Sequence, residues 1–169
     1  MDDAARAGFE AQFDRLLASN GPALGRLAAS YANTASDRDD LLQEIAIALW
    51  EALPRFRGDC SERTFLFRIA HNRAIAHLAR RKPESPVDSE WEPSDPRPDP
   101  EAGFSKEQEG QRLAAAVRRL PPAYRQPVTL MLEGMSYGEI AQILGIEENN
   151  VGARLTRARQ MLRGLLEGQ

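Results

Sequence analysis

The sequence has 169 residues, a formal net charge of −3 and one cysteine, Cys60. This length allows one domain or two small ones, and a single cysteine excludes an internal disulfide framework and a cysteine-rich zinc site, so a reduced compartment fits best. The first residues, MDDAARAGFE, lack the basic and apolar regions of a signal peptide, and no apolar run approaches the ~20 residues of a membrane helix, so we expect a cytoplasmic protein without membrane insertion.

Phe9, Phe13, Leu16 and Leu17 have the spacing of a first amphipathic helix. Gly21-Pro22 is expected to break this helix, because proline lacks the N–H that a helix interior needs. A second helix is then predicted to begin near Pro22, which suits a first helical turn. Its apolar side continues to Tyr31.

A third helix is predicted over residues 37–53, with Asp37 as its N-cap. Its apolar residues recur at helical spacing, and the carboxylates of Asp40, Glu44 and Glu51 lie close together on its surface. Two interpretations remain open at this point. The carboxylates are either a solvated acidic face or a docking face for a basic partner.

A fourth helix is predicted to follow Ser61, a favourable N-cap residue. Residues 63–82 contain six Lys or Arg and no Asp or Glu, with Phe65 and Phe67 among them. Basic side chains can follow a phosphate backbone and aromatic rings can stack on unpaired bases; alternatively, at least one of the two phenylalanines belongs to the core. His71 and His77 are six residues apart and no Glu-x-x-His motif is present, which argues against a carboxylate–histidine metal site.

The negative charge is concentrated in one segment. Residues 1–82 contain 12 Lys+Arg and 11 Asp+Glu, residues 83–110 contain 2 and 9, and residues 111–169 contain 8 and 5, so their net charges are +1, −7 and +3. Residues 83–110 also contain six prolines. Such a segment cannot bury a core. We therefore predict an all-α protein of two small helical domains, 1–82 and 111–169, joined by a flexible acidic linker, 83–110.

The second domain is predicted to end in a helix-turn-helix. Ser136 and Glu139 have the spacing of a capping box, and Gly145 suits the left-handed residue that ends a helix. In the next helix Val151, Leu155, Ala158 and Leu162 recur at helical spacing and are predicted to form one buried face. The second helix of such a motif enters the major groove, where Asn pairs with adenine and Arg with guanine. The alternative is an ordinary helical hairpin with solvated arginines.

Taken together, these segments resemble the bacterial RNA polymerase sigma factors of the extracytoplasmic-function (ECF) group. The segment DDLLQEIAIALWEALPRF is similar to the core-binding helix of the family, and TFLFRIAHNRAIAHLARR is similar to its −10-reading helix. The segment LPPAYRQPVTLMLEGMSYGEIAQILGIEENNVGARLTRAR is similar to the −35-reading domain. Phe65 stands where many relatives have Trp, and Gly152 and Ala153 stand where they often have larger or polar residues, so the −35 sequence itself is not transferable.

The resemblance implies a sigma factor that binds core RNA polymerase and directs promoter recognition, −10 melting and initiation. It implies that residues 56–61 capture a flipped base of −10 DNA. The implied polymerase-binding residues are Asp40, Leu41, Gln43 and Glu44. The implied −10 DNA-binding residues are Arg57, Ser61, Phe65, Asn72, Arg73, His77 and Arg80. The implied −35 DNA-binding residues are Asn149, Asn150, Ala153, Arg154, Thr156 and Arg157.

Promoter DNA and core RNA polymerase are thus the expected partners, and an anti-sigma factor is left open as a third. A stand-alone helix-turn-helix regulator is the alternative function, although such regulators normally dimerise and the sequence contains no recognisable dimer helix. An enzyme is not expected. The sequence contains no Gly-rich phosphate loop, no metal cluster and no nucleophile–base constellation, and it predicts no cofactor and no small-molecule substrate.

Overall fold

The computed structural model describes residues 3–81 and 106–168. Every regular element in these two ranges is a helix, which confirms the predicted all-α class. The elements are α1 (Asp3–Tyr31), α2 (Ala35–Ala52), a 3-10 turn (Leu53–Arg55), α3 (Glu62–Arg80), α4 (Lys106–Arg118), α5 (Pro122–Leu132), α6 (Tyr137–Leu144) and α7 (Glu148–Glu167). Most of the predicted linker, residues 83–105, lies outside the described ranges, but its last five predicted residues belong to α4.

The chain divides into two compact units. In the first unit, helices α1, α2 and α3 all contact one another. Their facing sides enclose a core whose largest buried side chains are Leu27, Tyr31, Leu41, Ile45, Leu49, Leu66 and Phe67. The burial of Phe67 confirms that at least one of the two predicted phenylalanines is core. In the second unit, α7 contacts both α4 and α5, and Leu120, Leu130 and Leu155 are among its buried side chains.

Helix α1 is continuous through Pro22, so the predicted break at Gly21-Pro22 is wrong. A proline inside a helix removes a hydrogen bond and costs about 3 kcal/mol. Packing outweighs this cost, because apolar side chains are buried both before Pro22, at Leu16, and after it, at Leu24 and Leu27.

Helix α2 begins one turn earlier than predicted, because Thr34 and not Asp37 is its N-cap. The hydroxyl of Thr34 accepts from the backbone N–H of Asp37 at 3.1 Å. The Asp37 carboxylate in turn accepts from the backbone N–H of Asn33 at 2.8 Å. This reciprocal arrangement is similar to a capping box. It places Asp37 inside the first turn of α2, where its carboxylate can also reach α3.

Helix α3 has the predicted N-cap, since Ser61 Oγ accepts from the backbone N–H of Thr64 at 3.0 Å. One side of this helix contains an ionisable residue within the core. His71 is 4% exposed, its ring lies 6.3 Å from that of Tyr31, and its Nδ1 has no hydrogen-bond partner. Burial disfavours the charged imidazolium and lowers the pKa of His71 to about 4. The side chain is therefore a neutral core residue at neutral pH.

The first testable prediction concerns this histidine. The unfolded chain binds a proton at His71 near the ordinary pKa of 6.5, whereas the folded chain does so only near 4. The effect of His71 on the free energy of unfolding is therefore negligible above about pH 6.5. The free energy of unfolding then decreases as the pH is lowered towards 4, and at pH 5 the decrease is about 2 kcal/mol. The free energy of unfolding in urea, measured at about pH 7.5 and about pH 5, tests this expectation.

The fluorescence of Trp50, read in a Trp91→Phe background, reports on the unit that contains His71, since the chain has two tryptophans. The His71→Leu variant lacks the titrating group and is the matched control. Between about pH 7.5 and about pH 5, the decrease in its free energy of unfolding should be smaller than that of the parent by about 2 kcal/mol. Equal losses in the two proteins would show that His71 does not titrate as its burial requires.

Candidate nucleic-acid interface

The predicted helix-turn-helix is formed by α6 and α7, and both of its local signals are confirmed. Ser136 Oγ accepts from the backbone N–H of Glu139 at 3.2 Å, and Glu139 accepts from the backbone N–H of Ser136 at 2.8 Å. Gly145 ends α6 with a φ of 65°. The N–H of Ile146 then donates to the carbonyl of Ala141 at 3.1 Å, which is the long hydrogen bond of a Schellman motif.

Helix α7 has one buried side and one exposed side. Val151, Leu155 and Ala158 are at most 2% exposed, so three of the four predicted buried residues are in the core, while Leu162 is half-buried. The opposite side contains the predicted DNA-reading residues. Asn149, Asn150, Ala153, Thr156 and Arg157 are exposed, and Arg154 is half-buried at the edge of the core. Gln160 is also exposed and follows Thr156 by four residues, so helical spacing alone adds it to this surface.

Gly152 lies on α7 close to the first residue of α6. In the structure, a Cβ built on Gly152 lies 3.5 Å from Cε2 of Tyr137, at the start of α6. A methyl group at this position would touch the Tyr137 ring at an ordinary contact distance, so only a larger side chain would displace the ring, which is itself 38% exposed. Sequence reasoning did not identify Tyr137 as a neighbour of the recognition helix.

The predicted −10 residues near the middle and end of α3 are of two kinds: some are exposed, and others contact carboxylates of α2. Asn72 and Arg73 are exposed. His77 is half-buried, and its Nε2 lies 2.7 Å from Asp37 Oδ1. Arg80 is exposed but its guanidinium donates to Glu44 at 2.5 Å. Two of the predicted −10 residues are thus held by carboxylates of α2.

The carboxylate of Asp37 has three partners where the start of α2 meets the end of α3. It accepts from the backbone of Asn33, contacts His77 and forms an ion pair with Arg81. Burial raises the pKa of Asp37, but the hydrogen bonds from Asn33 and His77 and the charge of Arg81 together lower it more, so that its pKa lies below the ordinary value. Asp37 is therefore ionised at neutral pH and fixes His77 in place.

The loop between α2 and α3 brings two aromatic rings together. The rings of Phe56 and Phe65 lie 4.7 Å apart, and both side chains are half-buried. Arg57 is exposed beside them in the sequence. Ser61 is exposed and has the capping role predicted for it: its hydroxyl caps α3 and also donates to Thr64 Oγ1 at 2.9 Å. Phe56 belongs to the loop, residues 56–61, that the resemblance implies for capture of a flipped base, although it was not among the individually selected −10 residues.

On α2, Asp40 and Gln43 are exposed and Glu44 is half-buried. Leu41 is fully buried, so it packs in the core and does not present its side chain to a partner. Ile47, which the sequence analysis did not select, is 60% exposed. Since Gln43 and Ile47 are four residues apart and Asp40 is three residues before Gln43, all three lie on one face of the helix.

In residues 3–81 and 106–168, no helix has both the length and the apolar character needed to span a bilayer. The same residues contain no group of three or more His, Cys, Asp or Glu side chains arranged to hold a metal ion.

A helix-turn-helix with an exposed Asn/Arg side, together with a separate three-helix unit that contains a basic helix, defines a helical DNA-binding protein. Comparison with known proteins specifies the class. Residues 16–84 match the family model of sigma-70 region 2, and residues 110–162 match that of sigma-70 region 4. The chain is 30% identical to RNA polymerase sigma factor CnrH of Cupriavidus metallidurans, over 96% of this chain and 91% of that protein.

It is also 35% identical to the ECF RNA polymerase sigma-E factor of Escherichia coli, over 75% of this chain and 72% of that protein. Among solved structures, CnrH in complex with the cytosolic domain of CnrY matches with a TM-score of 0.70 and 28% identity, covering 95% of this chain and 90% of that chain. The chain belongs to the ECF sigma factors. It binds core RNA polymerase and promoter DNA and directs promoter recognition in transcription initiation.

The packing of Tyr137 on Gly152 yields the second prediction. In Gly152→Ala the new Cβ makes an ordinary contact of 3.5 Å with the ring. Alanine is the better helix former by about 0.5–1 kcal/mol, so this variant should be more stable by about that amount. Gly152→Leu adds atoms beyond Cβ, displaces the ring and should be less stable. Scanning calorimetry of the full chain measures both changes, and a leucine that is tolerated as well as alanine would contradict the observed packing.

Proposed function

We propose that this sigma factor uses three separate exposed faces: α2 for core polymerase, α3 with its preceding loop for −10 DNA, and α7 for −35 DNA. The observation that carries the proposal is the pattern of burial. In each of these helices one side is core, and the opposite side contains the side chains that the family resemblance selects. Leu41 is the exception, and we remove it from the docking set.

The docking face on α2 combines charge with apolar surface. Asp40 and Gln43 supply polar contacts, and Ile47 supplies an apolar side chain that is 60% exposed. Protein interfaces typically have an apolar centre with a polar rim. An exposed isoleucine between acidic and amide neighbours fits a basic partner surface with an apolar patch. We therefore add Ile47 to the docking face.

For −10 DNA, the proposal assigns different tasks to the loop and to α3. The Phe56–Phe65 pair offers an aromatic surface on which an unpaired base can stack. Arg57, Asn72 and Arg73 are exposed and suited to phosphate or base contacts. His77 and Arg80 join this surface from positions fixed by α2. Ser61 acts on the loop indirectly, through its capping hydrogen bonds.

For −35 DNA, the N-terminal half of α7 supplies the contacts. Asn149, Asn150 and Arg157 have the chemistry for base edges in the major groove. The hydroxyl of Thr156 donates to the carbonyl of Gly152 at 3.0 Å, so it can still accept from DNA through its oxygen. Ala153 leaves space between these side chains, and Arg154, at the edge of the core, is suited to phosphate.

We propose further that the protein acts in the cytoplasm, where polymerase and the chromosome are, and has no catalytic activity, cofactor or small-molecule substrate of its own. The similar protein CnrH was solved with the cytosolic domain of CnrY. An anti-sigma factor is accordingly the third proposed partner. A stand-alone regulator is disfavoured, because the region 2 match accounts for residues 16–84, which such a regulator would not need.

Run-off transcription with core polymerase over a library of promoters tests the function. The full chain should direct initiation at a specific subset of the promoters, and a gel shift without polymerase should give little specific duplex binding. Specific binding of a two-fold symmetric site by the chain alone, without transcription, would identify a stand-alone regulator instead.

The third prediction concerns Asp40, an exposed carboxylate on the docking face. Exposed ion pairs contribute only about 0–1 kcal/mol to folding, so Asp40→Arg should leave thermal unfolding nearly unchanged. At a basic interface the new arginine places like charges together, which costs several kcal/mol and corresponds to about a hundredfold loss of affinity for core polymerase.

Asp14→Arg is the matched control, since Asp14 is an exposed carboxylate on α1. Affinity for core polymerase, measured by fluorescence titration of labelled protein, should be lost only in the Asp40 variant. If both variants bind like the parent, the docking face lies elsewhere on the protein.

The fourth prediction concerns Arg157, which is exposed on α7. If its guanidinium pairs with a guanine edge, Arg157→Ala should weaken holoenzyme binding by about 1–3 kcal/mol at one base pair and relax the preference there. Competition among promoters that are mutated singly across the −35 element measures this change. A uniform loss on all sequences would assign Arg157 to phosphate, and unchanged binding would remove it from the site.

A further inference from the structure

Glu44 lies on the helix proposed to dock polymerase, but its carboxylate points towards the proposed DNA-binding helix. Its Oε2 accepts from Arg80 at 2.5 Å, and its Oε1 lies 3.7 Å from His77 Nδ1. The side chain of Glu44 is 32% exposed, whereas the side chain of Asp40, four residues earlier on α2, lies on the open surface. One carboxylate therefore belongs to two proposed surfaces at once.

The histidine and the two arginines around this corner differ in their exposure and in the number of their contacts. His77 and Arg81 both contact Asp37, and Arg81 also donates to the carbonyl of Tyr31 at 3.2 Å. Their side chains are 11% and 27% exposed. Arg80, in contrast, is 58% exposed, and Glu44 is the carboxylate it contacts in the described part of the chain. Arg80 is thus the cation that a change at Glu44 would release.

We propose that Glu44 couples polymerase docking to DNA binding, neutralising Arg80 in the free protein and releasing it to a DNA phosphate when a polymerase cation takes its place. The coupling rests on the proposed function, because it requires Glu44 on the docking face and Arg80 on the DNA surface. A carboxylate that pairs with a polymerase cation can no longer fully neutralise Arg80. The same carboxylate thereby links two binding events that occur on different helices.

The size of the effect follows from the exposure of the pair. Solvent and salt screen an ion pair of this kind, so releasing Arg80 should change DNA affinity by about two- to fivefold at low salt and by less as salt increases. Coupling between two binding sites is reciprocal. DNA bound at Arg80 should therefore strengthen polymerase docking by the same factor.

The test uses the full chain and a fluorescein-labelled oligothymidylate of about 20 nucleotides, because phosphate contacts do not depend on sequence. Glu44→Gln removes the charge that holds Arg80, and its affinity for the oligonucleotide in about 50 mM salt should be about two- to fivefold higher than that of the parent. Asp40→Asn removes the same charge from a carboxylate without an ion pair to Arg80, and should give a clearly smaller gain. Fluorescence anisotropy measures all three affinities.

The double variant Glu44→Gln with Arg80→Ala should lose the gain, because the released cation is absent. A gain that survives in the double variant, or an equal gain from Asp40→Asn, would mean that only the general charge of the protein matters and would overturn the coupling. The result for Arg73→Ala separates this failure from failure of the proposed function, since Arg73 is exposed and not paired with Glu44.

If Arg73→Ala weakens oligonucleotide binding while Glu44→Gln leaves it unchanged, α3 binds DNA but the coupling is wrong. If neither variant changes binding, α3 is not the DNA surface, and the −10 assignment and the coupling fail together. Support requires that Arg73→Ala weakens binding, that Glu44→Gln strengthens it, and that the second effect depends on Arg80.

Discussion

Leu41, Ile45 and Leu49 are fully buried along one side of α2, and this apolar contact orients the helix. The side chains of a helix project in directions that are fixed relative to one another. Burying one side therefore also determines which residues face outward. Asp40, Gln43 and Ile47 are exposed because their neighbours are buried. Burying these side chains is also the main source of stability, at about 25 cal/mol for each Å² of apolar surface. The proposed docking face and the core are thus two results of one constraint.

The same constraint operates in α7, where Val151, Leu155 and Ala158 form the buried side. The burial of this side is sufficient to explain why Asn149 and Arg157 are exposed on the other side. A second determinant sets how α6 meets α7, namely the left-handed Gly145 and the ring of Tyr137 lying over Gly152. Both features lie within the motif itself, at the turn after α6 and at the contact between Tyr137 and α7.

The sequence was sufficient at several positions where a local signal determined the structure. The Ser136–Glu139 capping box, the Gly145 turn, the Ser61 cap and the buried side of α7 as far as Ala158 all depend on residues within a few positions of one another, and these predictions were confirmed. The N-cap of α2 was not predicted correctly from its local signal, since Thr34 and not Asp37 caps the helix.

Predictions failed where packing between distant segments decided the outcome. Pro22 lies inside α1 because apolar contacts on both sides outweigh its local cost. Leu41 follows Asp40 directly in the sequence but lies about 100° around the helix from it, in the core. The pairing of Glu44 with Arg80 joins residues 36 positions apart. No periodicity in a single sequence reports such a pair, although both residues were selected individually.

Polar pairs and apolar contacts therefore perform different tasks in the first unit. Because the Glu44–Arg80 pair is partly exposed, it adds little to stability, and its partners can be exchanged without unfolding the helices. The apolar contacts between α1, α2 and α3 persist through such an exchange, since none of them involves the two charged groups. A stable core with weak ion pairs at its edge allows one carboxylate to change partner. An apolar contact in the same place could not, because separating it would expose buried surface to water.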